Sequence, residues 1–67
     1  MDCVFVLLYG NEWEDTTILL TEEDAINQSK INPNARVEIF SKNNIGYTPT
    51  YNYYKNGELI FKDVEDK

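Results

Sequence analysis

Cys3 to Tyr9 reads Cys-Val-Phe-Val-Leu-Leu-Tyr, apolar at every position. A run of this length, rich in Val, Phe and Leu, predicts a strand covered on both faces and therefore central in its sheet. Gly10 and Asn11 then supply turn chemistry, and Thr16–Leu20, β-branched at three positions, predicts a second strand joined to the first through an acidic loop. Thr21-Glu22-Glu23-Asp24 has the signature of a helix start. The hydroxyl of Thr21 can cap the first turn, and three carboxylates stand where the helix dipole favours negative charge. Ala25, Ile26 and Ser29 form a thin stripe for packing on a sheet, and Asn32-Pro33-Asn34 ends the helix near Ile31.

From Ala35 the pattern alternates, with Val37 and Ile39 on one side and Arg36, Glu38 and Phe40 on a wetter one, which predicts a third strand. Ser41–Gly46 reads as a polar connection. Tyr47–Lys55 and Glu58–Lys62 flank Asn56-Gly57, the strongest short-range hairpin signal a sequence can carry. A two-residue type I′ loop sets Lys55 opposite Glu58, Tyr54 opposite Leu59, Tyr53 opposite Ile60 and Asn52 opposite Phe61. Pro49 offers no backbone donor, so its part of the strand is expected at an edge or a bulge. The expected fold is α+β, in the order β-β-α-β-β-β, with about five mostly antiparallel strands and one short helix packed on a face.

Length narrows the stabilising devices. The 67 residues suit one small domain spanning 1–67, whose net stability scales to about 3–10 kcal/mol. Cys3 is the only cysteine and there is no histidine. Neither an intrachain disulfide nor a histidine-bearing metal site can staple the chain. The core must suffice, or a second copy or a partner must complete it.

With 6 basic against 12 acidic side chains the formal charge is −6 and the pI about 4.3. Arg36 and the scattered lysines form no cluster able to neutralise phosphates, so direct nucleic-acid binding is not expected. An anionic membrane surface would repel the chain. No segment approaches the length of a membrane span, and the N-terminus lacks the basic region of a secretory signal. The expected setting is intracellular, in agreement with an unpaired cysteine.

Catalytic constellations lack parts. Histidine, the commonest general base and the usual partner of a nucleophilic Ser or Cys, is absent. Cys3 opens an apolar strand with no cation beside it in sequence, which reads as a core thiol. No catalytic residue, metal ligand or cofactor is assigned. Asn11, Glu12, Glu14 and Asp15 crowd one loop with oxygen atoms, yet the spacing is not that of an EF-hand, and a solvated loop accounts for them.

Two candidate surfaces remain. Glu12, Glu14 and Asp15 surround Trp13, whose indole is either a plug closing the end of the sheet or an anchor for a partner. With Glu22, Glu23 and Asp24 they make an acidic run, half of which capping and the helix dipole explain. An acidic face suits a partner with a basic surface. The second surface is the tyrosine-rich strand. There alternation puts Tyr47, Tyr51 and Tyr53 on one face and Tyr54 on the other.

Leu8-Tyr9-Gly10-Asn11-Glu12-Trp13-Glu14-Asp15 and Pro49-Thr50-Tyr51-Asn52-Tyr53-Tyr54 resemble runs in short uncharacterised proteins of large DNA viruses that infect protists. The abundance of Asn, Ile, Lys, Tyr and Phe, residues with AT-rich codons, agrees with such a source. The resemblance implies a viral origin, with a cytoplasmic or virion-associated setting, and carries no activity or ligand. The functional expectation is a non-catalytic protein-binding module, a viral accessory or assembly protein, using Glu12, Trp13, Glu14, Asp15, Tyr47, Tyr51 and Tyr53. The alternative is a small structural subunit that pairs edge strands into a homodimer or a particle.

Overall fold

Asn56 and Gly57 both adopt the left-handed backbone region, with φ of 54° and 80°. That is what a type I′ turn needs, and it fixes the last hairpin. The other elements follow from caps and apolar runs in the same way. The computed structural model describes residues 2–10 and 13–61. Its elements are β1 (Cys3–Tyr9), a single 3-10 turn (Trp13–Asp15), β2 (Thr17–Leu19), α1 (Glu22–Ile31), β3 (Ala35–Lys42), β4 (Tyr47–Lys55) and β5 (Glu58–Ile60).

The strands form one sheet in the order β2-β1-β3-β4-β5, and every neighbouring pair is antiparallel. The α+β class and element order are as expected, while several details differ. β1 is internal, but the middle strand is β3, which continues through Ser41 and Lys42 where a polar connection was expected. β5 stops at Ile60, so the pairs Lys55 with Glu58, Tyr54 with Leu59 and Tyr53 with Ile60 form, and the strand ends before an Asn52–Phe61 pair. Lys62 lies outside the described residues.

Register sorts the side chains into two layers. On one face Leu7, Val37, Tyr54 and Leu59 follow one another across β1, β3, β4 and β5, and Phe5 lies opposite Ile39. Helix α1 covers this face. Phe5, Leu7, Ala25, Ala35, Val37 and Tyr54 form the core, with Cys3, Leu19, Ile26 and Ile39 around it. Thr21 caps the helix by accepting from the Asp24 N–H at 3.1 Å. At its other end Asn32 donates through Nδ2 to the Gln28 carbonyl, 2.9 Å, and accepts from the Tyr9 hydroxyl, 2.7 Å. A ten-residue helix is too short to persist alone, so these ties and the core hold it on the sheet.

Two polar contacts bind helix to sheet from inside. Ser29 is fully buried, donates to the Ile26 carbonyl at 2.8 Å and accepts from the Gly57 N–H at 2.8 Å. It thus supplies the hairpin turn with an acceptor that water cannot easily reach. Replacing Ser29 with alanine orphans that N–H and is expected to cost about 1–2 kcal/mol, measured as a lower urea midpoint with an unchanged slope. The second contact is the Tyr54 hydroxyl, which donates to the Glu22 carboxylate in the first helical turn. Burial, then this hydrogen bond and the Glu22 charge, push the Tyr54 pKa up to about 12.

The β3–β4 ladder is irregular. Between the Glu38–Tyr53 and Phe40–Pro49 pairs, Ile39 alone faces Thr50, Tyr51 and Asn52, which makes a bulge in β4. Thr50 holds it: its hydroxyl donates to the Ile39 carbonyl at 2.9 Å and accepts from the Asn52 N–H at 3.2 Å. Tyr51 has φ of 69°, a strained conformation for a bulky side chain. Pro49 lies next to the bulge. Lys42 donates its backbone N–H to Asp2, so by antiparallel alternation Ser41 bonds toward β4 and its opposite number Thr48 bonds back. Pro49 therefore turns its donorless nitrogen away from β3, toward the edge of β4 beyond the paired length of β5. No rung of the ladder is lost.

Candidate binding face

The sheet face opposite the helix carries the candidate residues. One row crosses all five strands there: Ile18, Val6, Glu38, Tyr53 and Ile60. A second row runs from Val4 through Phe40 to Pro49, and Tyr47 is placed by its pairing with Lys42. Val6 and Leu8 are buried on this face, Leu8 completely. The 3-10 turn packs against β1, and this puts a partial lid on the side of the strand that faces away from the helix. The apolar run of β1 is thus explained from both sides.

Trp13 sits in that turn and makes a T-shaped pair with Phe40, centroids 6.3 Å apart and planes at 78°. It remains 49 % exposed, so it is partly a plug and partly a presented surface. Because Phe40 pairs with Pro49, Trp13 and the tyrosine strand share one face. Two surfaces that are well separated in sequence are one in the fold. Glu14 and Asp15, beside Trp13, are exposed. Glu12, the third acid expected here, lies outside the described residues. The carboxylates of Glu22, Glu23 and Asp24 stand on the helix, across the sheet from this face.

Arg36, Glu38 and Phe40, which alternation places on the wetter side of β3, are central to the site. The Arg36 Nε donates to Glu38 Oε2 at 2.5 Å, and its Nη1 donates to the Gly10 carbonyl at 2.7 Å. The only arginine thereby secures the end of β1 to the middle of the sheet. Beside this pair opens a cleft of about 390 Å³ lined by Arg36, Glu38, Tyr51, Tyr53, Ile60 and Phe61. Tyr51 enters it from the bulge. Tyr53 enters from regular alternation, whereas Tyr54 points into the helix-side core. The signal for the ion pair was its spacing of two along a strand, which places both charges on one face. Nothing in the residue types marked Tyr51 for a positive φ.

Among the described residues no group of three or more His, Cys, Asp or Glu is placed to hold a metal. No helix there is long and apolar enough to cross a membrane. The described residues of this face present aromatic contact area, an ion pair and an acidic margin. Comparison with protein-family models, curated proteins and solved structures returns no match, so this face stands on its own chemistry.

Proposed function

We propose that the chain is a non-catalytic protein-binding module that engages its partner through the helix-free face of the sheet. The observation that carries this reading is the meeting of Trp13, Phe40, Tyr51 and Tyr53 on one face, with Trp13, Tyr51 and Phe61 about half exposed or more. Aromatic residues with large contact areas and few torsions are favoured where surfaces must bind. The exposed acids Glu14 and Asp15 and the net charge of −6 favour a partner with a basic surface. The resemblance to proteins of large DNA viruses makes a host or virion protein the partner to seek, in an accessory or assembly role.

The homodimer reading has less support. A second copy brings the same charge of −6, and Pro49 denies a donor to a strand approaching the stretch of β4 that β5 leaves unpaired among the described residues.

Pull-down from host and virion lysates, at low and high salt, tests the proposal. Capture should weaken with salt. The double reversal Glu14→Lys, Asp15→Lys should reduce capture about tenfold or more at low salt, and Trp13→Ser should do so at either salt. Equal capture by both variants and the parent would remove the face from consideration.

A further inference from the structure

The cleft beside the Arg36–Glu38 pair is more particular than an aromatic patch, and its features select an occupant. Its floor is electrically balanced. The guanidinium and carboxylate are in contact at 2.5 Å, and Arg36 is further occupied by the Gly10 carbonyl. A charged group entering the cleft gains from one partner what it loses to the other. The occupant that fits is uncharged.

The walls are Tyr51, Tyr53, Phe61 and Ile60. They offer ring faces, an aliphatic flank and the phenol hydroxyl of Tyr53, a setting for an apolar chain whose backbone carbonyls accept hydrogen bonds. Strand addition is not the way in, because the stretch of β4 next to the cleft, unpaired on its outer side among the described residues, carries Pro49 and the bulge. We infer that the cleft receives a proline-rich segment of the partner in the polyproline II conformation, with basic residues flanking it. Such a segment is preformed, lacks most backbone donors and lies in aromatic-lined grooves. The basic flanks answer the net charge of −6 and the exposed Glu14 and Asp15. This inference rests on the proposed function and names the chemistry of the partner.

Tyr51 makes the inference testable without unfolding the protein. The bulge holds this aromatic residue at φ of 69° and 53 % exposed, so its ring is displayed at a conformational cost. Tyr51→Gly removes the ring while relieving the backbone, since glycine adopts positive φ freely. The probes are a lysine-flanked decaproline, and a glycine–serine peptide of equal length with the same flanks, each titrated into the full chain and followed by NMR of the aromatic side chains.

The proline peptide should bind about tenfold tighter than the glycine–serine peptide, with shifts concentrated at Tyr53 and Phe61. Tyr51→Gly should weaken the proline peptide about tenfold, while circular dichroism shows that the variant stays folded. Equal affinity for the two peptides would reduce the effect to charge and overturn the inference. Undiminished binding by Tyr51→Gly would do the same, as would cleft resonances that move on dilution without peptide, which would make a second copy the occupant. If neither peptide binds while lysate capture still depends on Trp13, Glu14 and Asp15, the cleft inference fails and the proposed function stands.

Discussion

Leu8→Ala is expected to destabilise the chain by about 2–5 kcal/mol, much of the roughly 3–10 kcal/mol available to a domain of this size. Leu8 is fully buried, yet it points away from the helix and outside the main core cluster. Its cover comes from the far side of the sheet, where the 3-10 turn packs on β1 and Arg36, directly opposite Leu8, reaches to Gly10. Truncation leaves a hole beneath these contacts. The same variant should therefore loosen the turn that presents Trp13. Urea unfolding followed by tryptophan fluorescence reads both effects. A loss below about 1 kcal/mol would mean that the cover collapses onto alanine and that Leu8 is not a true second core.

The second large effect is alkaline. Tyr54 ionises near 12 in the folded chain against 10.0 for an unperturbed phenol. Below pH 10 the phenol is protonated whether the chain is folded or not, and its contribution is complete. Above it the unfolded chain releases the proton while the folded chain keeps it. Unfolding is then favoured, and stability falls as pH rises from about 10 to 12 by roughly 2–3 kcal/mol. Burial is the main cause and the Glu22 contact the next, so the loss reports the docking of β4 against α1. In Tyr54→Phe this part of the pH dependence should vanish, although the variant begins less stable for want of the hydrogen bond. Denaturation curves for the two proteins across the window decide it. Parallel decline of both would assign the alkaline loss to other groups.

Much of the scaffold was legible in local chemistry. Thr21 marked the helix start, Asn56-Gly57 fixed a hairpin and its register, and unbroken apolarity marked β1 as internal. These signals act over a few residues, so the sequence carries them plainly. The bulge was half legible. Pro49 announced an irregularity, but the stretch that expands is Thr50–Asn52, and an aromatic residue at positive φ has no propensity signature. The candidate face was hardest to foresee. Trp13 meets the tyrosine strand only because β1 pairs with β3 and places Phe40 between them. That adjacency belongs to the sheet order, which no local pattern specifies. Arg36 and Glu38 were visible as charges on a strand, but their pairing, and the neutral floor it makes, depended on knowing that they sit inside the sheet.

The strand order also sets a sequence of events in time. β3, β4 and β5 follow one another along the chain and pair as a meander, whereas β1 must find β3 across a hairpin and a helix. Closing the longer loop costs entropy before its contacts repay it. The meander should thus be organised in the transition state and β1 should arrive late. For Leu8→Ala this means that most of the lost stability appears as faster unfolding, with the refolding rate little changed. The hydrophobic run that dominates the sequence would then act as the latch of the fold and not as its seed.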